Sequence, residues 1–144
     1  MAWTLYDNFR LKMMNGNAVN FSTSGDTIKV AITTSSYTVD QAAHDFFNDV
    51  TNEVSGDGYT AGGTALGSKT LNLSSGTVTF DAADQTYTQE AGGFSNGRRL
   101  VMYKDTGNAA TSPLIAYHSE ASDFGNVAGD LTLQWDSLGI ITSP

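Results

Sequence analysis

A chain of 144 residues with 15 acidic against 7 basic side chains, a formal net charge of −8, 40% apolar residues and no cysteine is the length of one domain. A compact chain of that size removes roughly 68–70% of its unfolded surface from water, enough for one core. The charge excludes nucleic-acid binding through phosphates, which needs clustered Lys and Arg to displace counterions, and the lack of cysteine excludes disulfides, a thiolate nucleophile and a thiolate metal site.

In chain order, residues 5–14 place Leu5, Tyr6, Phe9 and Met13 on one side at helical spacing, with Asp7, Asn8, Arg10 and Lys12 mostly opposite. Gly16 stops that helix. From Thr27 the period becomes two, with Ile28, Val30 and Ile32 on one face and Lys29, Ala31 and Thr33 on the other, which predicts a strand. Thr38 followed by Gln41 reads as a capping box, and Val39, Ala43, Phe46, Phe47 and Val50 make an apolar stripe, which predicts a second short helix. Residues 52–67 read as a Gly-rich connection carrying Tyr59, with a short pairing segment at 53–55.

The second half predicts short strands. Residues 69–73 and 77–81 alternate around Ser74-Ser75-Gly76, a three-residue hairpin signal. Further strands are expected at 86–90, 99–104, 114–118 and 131–135, with Pro113 opening one of them. The result is a mainly β fold: a single-domain β-sandwich or jelly-roll-like barrel with one or two short helices, spanning 1–144, with 1–16 as an N-terminal helical or arm segment. No window reaches the ~18 apolar residues of a membrane span, and the first residues lack the basic start and apolar run of a secretion signal.

Catalytic chemistry is not legible. Only His44 and His118 offer imidazole bases, and neither lies in a nucleophile or metalloprotease motif; no phosphate-cradling Gly-Lys-Ser/Thr occurs. His44 reads as a solvated helix residue. His118, Glu120 and Asp123 are the residue types of a metal site, but a strand running into an acidic turn gives the same letters, and that reading is preferred. The acidic turns at 81–84 and 55–58 lack the alternating ligands and closing Glu of a calcium loop. Tyr87, Tyr103, Tyr117 and Trp135 fall on predicted strands, where core packing is preferred over a carbohydrate platform. No catalytic residue, metal ligand or cofactor is expected. Trp3, Tyr6 and Phe9 are candidate partner-binding residues, because the segment is aromatic for a terminus and termini are loose unless docked; their spacing equally fits a helix packed on the sandwich, and packing in the protein's own core is preferred over a partner surface.

The segments AWTLYDNFRLKMMNG, DTIKVAITTSSYTVDQAAHDFFNDVTNEVSGDGYTAGG, RRLVMYKDTGNAATSPLIAYHSE and GDLTLQWDSLGII resemble, in order and over nearly the whole chain, a family of small virion structural proteins of tailed bacteriophages. That resemblance implies an all-β, non-enzymatic protein of the particle, a capsid decoration or cement protein. Its implied partners are the major capsid protein and copies of itself, as a homotrimer or other homo-oligomer, on the outer surface of a virion assembled in the host cytoplasm. Nucleic acid and membrane are not among them. A tail or neck component is the alternative within such particles, and a carbohydrate-binding β-sandwich module is the alternative outside them. Residues 86–97, TYTQEAGGFSNG, depart from the family pattern, being polar where an apolar strand is usual.

Overall fold

The computed structural model describes residues 1–17 and 19–143. Its centre is a five-stranded antiparallel sheet built from β1 (Thr4–Leu5), β2 (Ile28–Thr33), β3 (Thr64–Ala65), β7 (Gly97–Lys104) and β8 (Leu114–Phe124), in the order β1-β8-β7-β2-β3. Two smaller sheets accompany it. One pairs β4 (Thr70–Ser74), β5 (Thr77–Asp81) and β10 (Ile141–Ser143) in the order β10-β5-β4; the other pairs β6 (Gln85–Tyr87) with β9 (Leu131–Leu133). With one α-helix, α1 (Asp7–Met14), and single 3-10 turns at Phe47–Asp49 and Ala109–Thr111, the fold is mainly β and sandwich-like.

The alternation read in β2 holds, but both of its faces are covered. Ile28, Val30 and Ile32 are fully buried, and so are Ala31 and Thr33 on the opposite face. Their face is shared with Val101 and Tyr103 of β7 and Tyr117 of β8, as the register requires. The connection between β2 and β3 lies over it: Phe47 stacks on Tyr103 with ring centroids 4.0 Å apart. Tyr59 tightens the cover by accepting a hydrogen bond from the Ile32 backbone N–H at 3.0 Å. Leu66, Tyr87, Leu133 and Trp135 belong to the same buried cluster, with Tyr87 against Tyr59, ring centroids 6.0 Å apart.

Three expectations need correction. Residues 39–50 are not a helix; residues 41–43 make one turn, closed by His44 N–H donating to Asp40 O at 3.0 Å, and Phe47–Asp49 makes a 3-10 turn. The acidic side chains there offer the backbone other partners: Asp40 Oδ1 accepts from Ala42 and Ala43 N–H, and Asp49 Oδ2 from Asp45 and Phe46 N–H. The rest of the segment pairs across the fold, with Phe47 N donating to Ser112 O and Leu114 N to Asp45 O. Second, the hairpin loop is two residues, since Ser74 pairs with Thr77. Ser75 and Gly76 both have positive φ, 51° and 83°, the combination a type I′ turn demands. Third, the strand expected at 86–90 is Gln85–Tyr87, and residues 88–96 form a loop. The pairing segment at 53–55 is present as a bridge between Thr33 and Glu53.

Candidate functional site

The N-terminal aromatics do not form a common exposed patch. β1 is a strand of the main sheet, pairing Thr4 with Tyr117 and Leu5 with Ala116, and Tyr6 N–H continues the pairing by donating to Ile115 O at 3.1 Å. This draws Tyr6 and Phe9 into the core, where they are 0% and 2% exposed. Neither offers a surface to a neighbour, which corrects the partner-binding expectation for both. Trp3 is half-buried, its ring 6.0 Å from Trp135 and 6.2 Å from His118. Burial, reinforced by the adjacent Tyr37 hydroxyl, pushes the Tyr6 phenol far above its ordinary pKa.

Both imidazoles have partners close by. His44 stacks on Tyr37, centroids 5.6 Å apart, and its Nδ1 lies 2.9 Å from the Tyr37 hydroxyl; it is half-buried rather than solvated on a helix. His118 donates from Nδ1 to the Ala2 carbonyl at 2.6 Å, and its Nε2 lies 3.0 Å from Glu120 Oε1. Asp123 pairs instead with Arg98 at 2.8 Å. Among the described residues no group of three His, Asp or Glu is arranged to hold a metal ion. In the acidic turns, Asp81 accepts from Ala82 N–H and Asp84 from Trp135 N–H, both at 2.9 Å. Tyr87, Tyr103 and Trp135 are buried and Tyr117 is half-buried against Tyr6, so the carbohydrate platform is not formed.

Two polar anchors were not read from the sequence. Asn126, fully buried, accepts from Phe94 N–H at 3.0 Å and donates to the Thr88 and Asp57 carbonyls at 2.9 and 3.1 Å. One side chain thus ties its own turn to the loop at 88–96 and to the connection at Asp57. Glu53 Oε1 accepts from the Tyr59 hydroxyl at 2.5 Å and from Gly62 N–H at 2.6 Å. Burial first, and then the Glu53 carboxylate, push the Tyr59 phenol far above its ordinary value. Both anchors order the covering loops, and no sequence pattern marks an Asn or Glu for that task.

The surface feature that stands out is apolar. In the three-stranded sheet, Leu71 pairs with Phe80 and Phe80 with Ile141, while Leu73 pairs with Val78. Opposed residues share a face, so these side chains form one apolar face; Thr70, Asn72, Thr77 and Thr79 form the other. At one end Phe80 is buried against Phe21, centroids 4.6 Å apart, and Phe21 meets Phe9 of the helix. On the outer strand β4 the face is uncovered: Leu71 is 44% and Leu73 73% exposed. A groove of about 420 Å³ runs between this face and α1, lined by Phe9, Met13, Phe21, Leu71, Val78 and Ile141. No charged residue occurs from Thr70 to Phe80.

No family model matches the chain, and no curated protein or solved structure is significantly similar to it.

Proposed function

We propose that the protein is a non-enzymatic structural component of a tailed-phage particle, a capsid decoration protein that binds the outer shell and bridges its subunits. The observation that supports this most is the uncovered apolar face of β4 and β5 beside α1, a surface of the kind that seats protein rather than a small polar substrate. The surroundings agree with it. The remaining surface is rich in Thr, Ser and Asn, which satisfy polar interfaces without burying charge, and a net charge of −8 favours the outside of a shell over contact with packaged DNA. The order of motifs along the chain supports the same assignment by resemblance. Its partners in this reading are the major capsid protein and further copies of the chain.

The test is co-sedimentation of purified protein with shells that lack it and, separately, with isolated tails. Binding to shells that saturates at a fixed copy number, and is lost in Val78→Lys, is the expected result. Binding to tails alone would transfer the protein to the tail or neck. Reproducible hydrolytic turnover abolished by replacing His44 or His118 would overturn the non-enzymatic assignment.

A further inference from the structure

We propose that β4 is a self-association edge: two copies pair Thr70–Ser74 antiparallel about a two-fold axis at Asn72, fusing the two three-stranded sheets into one of six strands. This goes beyond a role in the particle and needs only the chain itself.

The backbone sets the register. In a two-residue hairpin the pair flanking the loop is hydrogen-bonded, so Ser74 directs its N–H and C=O toward β5, as do Asn72 and Thr70 by alternation. Leu71 and Leu73 then direct theirs away, and β4 is the outermost strand of its sheet. Among the described residues, neither the backbone groups nor a large part of the side chain of these two has a partner. Placing Asn72 opposite Asn72 of a second copy sets Leu71 opposite Leu73 twice. That register satisfies all four free groups, and a shift by two residues in either direction satisfies fewer. The segment is its own complement, which an isologous contact requires.

The side chains agree with the backbone. The same register brings Leu71 and Leu73 of both copies onto one face, extending the rows through Phe80 and Val78 into a continuous apolar surface. Charge selects the place. Two chains of net charge −8 repel, and Thr70 to Phe80 is a stretch with no charge to oppose their approach. The devices that blunt an edge are also missing from β4: Thr-Leu-Asn-Leu-Ser has no Lys and no Pro, and its pairing to β5 runs without a register shift.

Cysteine cross-linking tests the register, because the chain has no thiol of its own. Across the axis the two copies of residue 72 form a non-hydrogen-bonded pair, with Cα atoms about 4.5 Å apart, inside disulfide range. Asn72→Cys should therefore oxidise to a covalent dimer at least tenfold faster than Thr70→Cys, whose opposite residue is Ser74. In sedimentation equilibrium the unmodified chain should dimerise, and Leu73→Lys, at a largely exposed position that leaves the fold intact by circular dichroism, should shift the equilibrium to monomer. Equal oxidation of the two cysteine variants, a monomer at the highest soluble concentration, or a dimer indifferent to Leu73→Lys would each overturn the proposal.

Discussion

The hydroxyls of Tyr6 and Tyr37 meet 3.1 Å apart inside the core, tying the residue after β1 to the loop that follows β2. The N-terminal segment is therefore part of what holds the subunit together. Phe9→Ala should cost about 3–5 kcal/mol in urea unfolding, the range for a buried aromatic. Tyr6→Phe should cost only about 0.5–1.5 kcal/mol, since it removes one hydrogen bond and keeps the ring. Trp3→Ala, at a half-buried site, should fall below Phe9→Ala. Removal of residues 2–9 should leave no cooperative thermal transition; a truncated chain that melts like the intact one would show the segment to be an appendage.

Asn126 offers a sharper test of polar satisfaction. In Asn126→Ala the Phe94 N–H and the carbonyls of Asp57 and Thr88 lose their partner at a fully buried position. Each unsatisfied group costs about 1–3 kcal/mol, so a loss of about 3 kcal/mol or more is expected. Asn126→Asp keeps the acceptor for Phe94 but sets a carboxylate oxygen against two carbonyls, and should be at least as damaging near neutral pH. Hydrogen exchange of the loop at 88–96 should accelerate in both variants.

Stability should fall at both ends of the pH scale. Three carboxyls are held below the ordinary range. Lys29 and Gly107 N–H lower Asp105; Asp45 and Phe46 N–H lower Asp49 against the effect of burial; burial raises Asp26, but the Asn20 N–H and Lys104 outweigh it. A depressed folded pKa means that the unfolded chain binds protons more readily, so this stability is present above about pH 4 and lost as pH falls further. Burial raises Tyr6, Tyr59 and Tyr103. Here the folded chain holds the proton more tightly, and that stability is complete below about pH 10 and declines above it. Urea midpoints should form a plateau with two falling limbs, and Asp105→Asn should flatten the acid limb.

Two glycines with nearly the same φ separate backbone strain from space. Gly76 has φ 83° with nothing near the position of a Cβ, whereas at Gly63, φ 76°, a Cβ would collide with the Val30 carbonyl of β2. Gly76→Ala should cost about 1–2 kcal/mol, the left-handed penalty alone. Gly63→Ala should cost several times more, because β2 cannot retreat from β3 without losing pairs to β7. Equal melting temperatures for the two variants would contradict this.

Period-two runs carried the fold in the sequence: Ile28, Val30 and Ile32, and the strands flanking Ser75-Gly76, stand close to where alternation put them. What failed was the helical stripe from Val39 to Val50, because its spacing is equally served by a loop laid over a sheet, and because Asp40 and Asp49 compete for the amides a helix would use. Burial of Thr33 was illegible for a related reason: alternation tells which residues share a face, not whether a loop covers it. The apolar face of β4 and β5 was hidden in plain view. Leu71 and Leu73 alternate with polar residues as any half-buried strand does, and only the placement of the sheet shows that, among the described residues, they stay exposed.

The pairing scheme also orders events in time. Thr4 waits for Tyr117 and Ile28 for Lys104, so the central sheet closes only after most of the chain is available. Such distant pairings are slow, in the range of milliseconds to seconds, whereas a hairpin forms in about 1–10 μs. The tight turn at Ser75-Gly76 therefore lets β4 and β5 meet long before β2 finds β7, and the uncharged leucine strand is presented to solvent, and to neighbouring nascent chains, while the rest of the molecule is still unpaired. Crowded refolding at high protein concentration should accordingly lose yield through this hairpin first, and the same Leu73→Lys substitution should recover it.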